Sequence, residues 1–345
     1  MNDAVVSVIL ACHNAELTLA TTLRSLAESD FIQFEIIVVD DASEDGSAAI
    51  AREALRAFPI SNLVELPENV GVAEARNIGL ARAQGEYVWF VDADDVMPAT
   101  ALRDLYGAAQ QYDADIVFAR ATETDASLDR VIPIDGLKLT ESVRLSVEEV
   151  FVAVSKGQIR GFLWSKLFRR SLLPDNLFPA IRSQSDFMGL MKALEQSRNF
   201  VAIPAFVYDY VRSAESITTR RDSLSPLLQC ERAFYETAAA RGVDLSPSDR
   251  AFYSGGLTLL AGLDSALRTH NWANLDRSLV RHEFRRLSVG SIASVMRSQP
   301  RLGARIALAR VSLTLYAGVY RIGRAVRGLA LSRPGGLAGE TAANS

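Results

Sequence analysis

Cysteine is nearly absent from this 345-residue chain: Cys12 and Cys230 are the only two. A disulfide framework and a thiolate zinc site are thereby excluded, and a reducing compartment fits. Histidine is almost as scarce. His270 and His282 stand in helical stretches without ligand-like neighbours and read as surface or packing residues. No apolar run reaches the roughly 18 residues of a spanning helix, so none is expected. Met1-Asn2-Asp3 leads straight into a strand-like segment without a basic n-region or a long apolar h-region, which predicts no signal peptide. Gly-x-Gly-x-x-Gly does not follow the first strand, and Gly-x-x-x-x-Gly-Lys-[Ser/Thr] occurs nowhere, so the phosphate cradles of dehydrogenases and P-loop enzymes are excluded. Acid is missing locally as well: from Phe284 to Gly339 there are ten arginines and no carboxylate.

What is present is uneven in charge. Residues up to Arg221 carry 32 acidic and 21 basic side chains, and the remainder carries 16 arginines against 9 acids. Such polarity points to an acidic working part and a basic tail that meets something anionic. Apolar, β-branched runs at Val5–Ala11, Phe34–Val39, Leu63–Leu66, Tyr87–Val91 and Ala114–Ala119 predict strands. Helical spacing separates them, as in Leu19, Leu23 and Leu26, then Ala48–Phe58, Val72–Ala83 and Pro98–Gln111. Alternation of this kind implies βα units and a mostly parallel sheet. Residues 121–145 read as a long polar loop, Ser146-Val147-Glu148-Glu149 as a capping-box helix start, and everything beyond about Leu224 as helical.

The most informative feature is Asp92-Ala93-Asp94, directly after the strand Tyr87–Val91. A strand that is apolar throughout lies buried in a parallel sheet, and ligands of such sheets gather at the strands' carboxyl ends. Two carboxylates two residues apart at that edge suit a hard divalent cation and the phosphates it carries. The same edge collects Ala11-Cys12-His13-Asn14-Ala15-Glu16 and Asp40-Asp41-Ala42-Ser43, with Asn69-Val70-Gly71 and Ala75-Arg76-Asn77-Ile78-Gly79 between. It thus offers acceptors for a base and ribose, carboxylates for a metal, and an arginine for phosphate.

In this order and combination these segments resemble the family 2 glycosyltransferases. Gly85-Glu86-Tyr87, Trp164-Ser165-Lys166-Leu167-Phe168-Arg169-Arg170 and Tyr208-Asp209-Tyr210 through Ser216-Ile217-Thr218 extend the resemblance over residues 4–218. It implies a GT-A fold, an α/β architecture with a Rossmann-like, mostly parallel sheet flanked by helices. It also implies transfer of a sugar from a nucleotide diphosphate-sugar to a hydroxyl, with inversion and with Mn²⁺ or Mg²⁺. Residue by residue, it implies that Ala11, His13 and Glu16 line the nucleotide pocket, that Asp41 faces the base beside Asp40, and that Arg76 lies near the diphosphate. Asp92 would contact ribose or metal, Ala93 would line the donor site, and Asp94 would hold the metal. Cys12-His13 departs from the proline and tyrosine common in the family, though an imidazole can still stack on a base. In Arg182-Ser183-Gln184-Ser185-Asp186-Phe187-Met188, Asp186 matches the family's general base while Ser185 replaces a glutamate. An aspartate ahead of Phe187–Leu194 also suits a helix N-cap. Trp164 and Lys166 either border the acceptor cleft or serve as core packing and a solvated charge. No Gln-x-x-Arg-Trp occurs, which points to one transfer per encounter.

Two units are expected, a GT-A domain over 1–221 and a basic, helical C-terminal region over 222–345. In the latter, Leu308, Val311, Leu315, Val319, Ile322 and Val326 form one apolar stripe, with Arg310, Arg321, Arg324 and Arg327 away from it. The stripe serves either packing on the protein itself or contact with an anionic membrane surface. Sparse aromatic interleaving speaks against nucleic acid. The expected setting is cytoplasmic, with peripheral attachment at the inner face of the membrane, in surface polysaccharide or glycolipid assembly. Two other classes fit the edge: a sugar nucleotidyltransferase, whose Gly-rich basic loop is missing here, and an inactive nucleotide-sugar-binding module.

Overall fold

The computed structural model describes residues 4–125, 131–133, 137–181, 183–212, 224–269 and 271–331. His270, the stretch Ser216-Ile217-Thr218 and most of the expected boundary region lie outside the described residues.

The apolar runs of the first half form the strands β1 (Val6–Cys12), β2 (Phe34–Asp40), β3 (Ser61–Glu65), β4 (Tyr87–Asp92) and β5 (Ile116–Asp125). Between them run α1 (Leu19–Ala27), α2 (Ser47–Ala54), α3 (Val72–Leu80) and α4 (Ala101–Tyr112). Then follow β6 (Val131–Pro133), β7 (Val143–Leu145), α5 (Val147–Ser155), β8 (Lys166–Arg169), α6 (Ser185–Gln196) and β9 (Phe200–Arg212). The sheet has nine strands in the order β3-β2-β1-β4-β8-β5-β9-β7, with β6 paired to β5. Pairing is parallel within β3-β2-β1-β4 and between β5 and β9, while β8 runs antiparallel to both neighbours and β7 to β9.

The central strands are apolar without interruption because both faces are covered. Val8 and Leu10 of β1 pack under α1 and α4, while Ile9 points to the opposite face, under α3. There the helix comes so close that a Cβ on Gly79 would lie 2.5 Å from Ile9 Cγ2. The expected loop over 121–145 is corrected. β5 runs on to Asp125, and β6 and β7 fall inside the interval. Polar residues serve there because Thr122 and Thr124 are buried and β9 pairs with the strand along its length. The capping box at Ser146 forms, its hydroxyl accepting from Glu149 N–H while the Glu149 carboxylate accepts from Ser146 N–H.

Beyond β9 the described chain is helical: α7 (Leu224–Ala240), then α8 (Pro247–Ala251) running through a π-helical stretch into α9 (Ala261–Arg268). There follow α10 (Arg277–Arg286), α11 (Val289–Ser298), α12 (Pro300–Val311) and α13 (Leu313–Leu331). Phe234 and Ala238 of α7 belong to the core on the α3 face of the sheet. Leu263, Phe284, Val295, Ile306 and Tyr316 belong to a separate helical core. The stripe read as one helix is split, because Ser312 is extended (φ −155°, ψ 113°) between α12 and α13.

Candidate active site

The strand register brings the candidate residues to one edge. Ala11 pairs with Val39 on one side and Asp92 on the other, and Cys12 pairs with Asp40. The side chains differ in how free they are. Asp40 is buried and accepts from the Ser43 hydroxyl at 2.5 Å and from the Cys12 thiol at 3.6 Å. Burial first, and Asp40 second, push the Cys12 thiol up to about 12. Asp41 is buried too, its two oxygens accepting from Val70 N–H at 2.7 Å and Gly71 N–H at 2.8 Å. Gly71 supplies this turn with a positive φ of 88°. Asp41 therefore holds the 69–71 turn in place, which is more than the sequence assigned to it. His13 is exposed, with Nδ1 2.8 Å from the Asp41 carbonyl oxygen. Glu16 accepts from Gly46 N–H at 3.0 Å, tying its loop to the start of α2.

Arg76 is the centre of the site. Its place in the register of α3 could have put it in solvent, but it is buried (4% exposed) and points at the sheet edge. One guanidinium nitrogen donates to Asp92 at 2.6 Å and the other to Asp186 at 2.6 Å. Nε is buried without a hydrogen-bond partner, and the group lies 5.7 Å from the Phe178 ring centroid. Burial alone would lower the guanidinium pKa; Asp186 and Asp92 outweigh it and raise it. A residue from α3, one from the end of β4 and one from α6 are thus joined by charge-assisted hydrogen bonds. Asp186 does not serve as a helix cap. The residue ahead of α6 is Gln184, in a left-handed conformation with no side-chain cap, and Asp186 sits in the first turn facing Arg76.

The structure adds residues the motifs did not single out. Asn77 holds Phe178 both ways, donating to its carbonyl at 2.9 Å and accepting from its N–H at 3.0 Å. Arg76 and Asn77 together dock the segment leading into α6. Asp95 is fully buried, accepts from Val211 N–H at 2.8 Å, and faces the Tyr208 hydroxyl as a further donor. Burial, then Asp92 and Asp94, push it up to about 9. Tyr208 hydroxyl accepts from Asp92 N–H at 3.0 Å, so β9 fixes the acidic loop from below. Only their place within longer motifs could have drawn attention to Asn77, Asp95 and Tyr208.

Asp94 is exposed and takes no ion pair among the described residues. The surrounding protein, and then Asp92, push its pKa up to about 6. Among the described residues no three His, Cys, Asp or Glu side chains cluster to hold a metal unaided. Two carboxylates fit a cation of the Mg²⁺ or Mn²⁺ type, whose remaining positions go to phosphate oxygens and water. Desolvation first, and repulsion from Asp92 second, disfavour a free Asp94 carboxylate, and a divalent cation would offset both, so the donor set fits.

Trp164 takes the core-packing place that was one of its two readings. Trp164 is buried, stacked between Phe162 (4.7 Å) and Tyr208 (4.6 Å). Lys166 is 2% exposed, donating to the Phe162 carbonyl at 2.5 Å, so its reading as a solvated charge is corrected. Its ammonium is satisfied internally because β8 inserts between β4 and β5 and carries it inside.

Residues 7–156 match the family model Glycosyl transferase family 2. The cholesterol galactosyltransferase of Borreliella burgdorferi is 31% identical over 178 residues, covering 50% of this chain and 49% of that protein. The poly(ribitol-phosphate) beta-N-acetylglucosaminyltransferase TarS of Staphylococcus aureus is 26% identical over 249 residues, covering 70% of this chain and 41% of that protein. The chain thus spans under half the length of these two relatives. Among solved structures, residues 1–349 of S. aureus TarS superpose with a TM-score of 0.64 at 20% identity, covering 93% of this chain and 91% of that one. The same fragment in complex with UDP-GlcNAc gives 0.64 at 22% identity, covering 93% and 92%. The fold is that of GT-A.

Proposed function

We propose that this chain, whose residues 7–156 match the model of the family 2 glycosyltransferases, is a member of that family and transfers a sugar from a nucleotide diphosphate donor to a hydroxyl acceptor with inversion. The observation that carries the reading is the Asp92–Arg76–Asp186 bridge at the carboxyl edge of the sheet. The nucleotide lies along the ends of β1 and β2, against Ala11, His13, Glu16, Asp40 and Asp41, and the donor sugar passes Ala93. The complex of TarS with UDP-GlcNAc supports a donor of this class.

Asp92 and Asp94 would hold Mn²⁺ or Mg²⁺ with the diphosphate, and the cation would supply charge neutralisation to the departing group. The rest follows from the chain's own residues. Arg76 is positioned to add a fixed positive charge beside the leaving diphosphate, in a buried setting where it needs no reorganisation. Asp186, oriented by Arg76, accepts the proton of the acceptor hydroxyl through its remaining oxygen. The hydroxyl oxygen forms its bond to the anomeric carbon as the bond to the diphosphate oxygen breaks on the opposite face. All these residues fall within 1–221, the proposed catalytic unit. Residues 222–345 are the proposed C-terminal extension, of which α7 buttresses the sheet. Assembly of a surface polysaccharide or glycolipid at the inner face of the cytoplasmic membrane is the proposed setting; the names of the two relatives, which act on a sterol and on a poly(ribitol-phosphate), support an acceptor of the glycolipid or polymer class.

The test is Asp186→Asn, assayed for donor turnover and for donor binding. Loss of a general base lowers the rate by about 10²–10⁴-fold, and the reading predicts that drop with donor affinity retained. Near-normal turnover in the variant would remove Asp186 from the chemistry. A wild-type protein that binds a nucleotide sugar but neither hydrolyses nor transfers it would establish the binding module instead.

A further inference from the structure

The break at Ser312 leaves an uncovered face. Val311 is 81% exposed, and Leu315, Val319 and Ile322 follow at 55%, 54% and 66%. Leu315, Val319 and Ile322 stand at steps of four and three on one side of α13, and Val311 is the last residue of α12, just across the break. The opposite side carries Leu313, Tyr316 and Ala317, which are buried in the C-terminal core. The protein itself therefore covers the other face of α13, and the stripe is left open as far as Ile322.

At the head of the stripe lies an open hollow of about 260 Å³, lined by Arg281 and Arg285 of α10, by Arg310, and by the first residues of α13. Arg310 is committed, donating to the carbonyls of Phe284, Arg285 and Leu287 at 2.6–3.1 Å, which closes the C-terminus of α10. Arg281 and Arg285 are exposed, and neither has a carboxylate partner among the described residues. Arg321 and Arg324 are exposed further along α13. The sequence placed Arg310 with the basic face; the structure replaces it there with Arg281 and Arg285.

We infer that this corner docks on a bilayer of anionic phospholipid. Arg281 and Arg285 take a lipid phosphate in the hollow, where the N-terminal turn of α13 adds its partial positive charge, while Val311, Leu315, Val319 and Ile322 enter the acyl boundary. Charge complementarity points to this occupant, since the segment from Phe284 to Gly339 is free of acid. A second copy of the chain is a poorer fit. Four aliphatic side chains fall far short of the ~800 Å² that each partner contributes to a stable interface. No helix among the described residues is long and apolar enough to cross a membrane, so the attachment is from one side.

The experiment is co-sedimentation of the full chain with vesicles of phosphatidylcholine alone or mixed with phosphatidylglycerol. Three proteins are compared: wild type, Arg281→Ala/Arg285→Ala and Leu315→Ser/Val319→Ser. Circular dichroism melting verifies the fold of each. Wild type should pellet with the anionic vesicles at low salt, and less so as salt shortens the screening length. Removing both arginines should weaken binding about thirtyfold, and the stripe variant should also lose binding. The inference is overturned if wild type stays in the supernatant with anionic vesicles at low salt, or if the arginine variant binds like wild type. It is equally overturned if sedimentation velocity without lipid shows a dimer that the stripe variant abolishes.

Discussion

Arg76 is held by two carboxylates at once, and lysine cannot reproduce that. A planar guanidinium fixes its in-plane N–H donors along separate edges, one for each carboxylate, whereas an ammonium is a point charge on a flexible stem. Arg76→Lys should therefore lower turnover more than donor affinity, and Arg76→Ala should also lower stability. Both acids keep about a third of their side-chain area in solvent (30% and 28%), so the loss sits between exposed and buried pairs, on the order of 2 kcal/mol. Denaturant melts of the two variants read it. Cys12 gives a second prediction. Its thiol is raised above the 9.0 of a free cysteine by burial and Asp40, so the unfolded chain loses its thiol proton first as pH rises. That contribution favours the folded state up to about pH 9 and is lost above it. At pH 8 iodoacetamide should leave Cys12 unlabelled in the folded protein and alkylate it in denaturant, as mass spectrometry of the peptide would show. The residue identities at this edge were legible from the motifs, but their partners were not. That Asp41 would be spent on Val70 and Gly71 depends on a glycine turn some 30 positions away in the chain, and that Asp186 faces Arg76 depends on 110.

The elements of the first half were readable because a strand buried on both faces leaves a continuous apolar run. β1, β2 and β4 were found to within a residue or two of their ends. β5 was cut short, since its second half is polar and its pairing partner β9 lies far along the chain; no local pattern reports such a pairing. The division of α12 from α13 escaped for the opposite reason. An apolar stripe keeps its period across a single extended residue, so periodicity alone joins two helices. Packing of α3 on β1 can be tested through Gly79. A methyl there would meet Ile9 Cγ2 at 2.5 Å, and in a filled core such overpacking costs about 1–3 kcal/mol. Gly79→Ala should thus lower the denaturation midpoint with an unchanged m-value. Because α3 carries Arg76, the same variant should reduce turnover in proportion to the displacement of that side chain.

On the scale of the whole molecule, the acidic first part and the basic helical part have separate tasks in this account: one edge for a metal-carried diphosphate, one corner for an anionic surface. The asymmetry was evident from charge alone, whereas the packing of α7 into the sheet's own core was not, because helical spacing does not reveal which neighbour a helix chooses. In the proposed mechanism Asp92 and Asp94 carry a nucleoside diphosphate through a divalent cation. This role is tested most directly by melting the protein with UDP, GDP, CDP and dTDP, each with Mn²⁺, Mg²⁺ or chelator, in wild type and Asp94→Asn. Binding to the folded state alone stabilises it by about 2.7 kcal/mol at a hundredfold excess over Kd. A rise in melting temperature is expected for at least one nucleotide, dependent on the cation, and largely absent in Asp94→Asn. A nucleotide-induced rise that is the same with chelator, or the same in Asp94→Asn, would rule out this role for the two carboxylates.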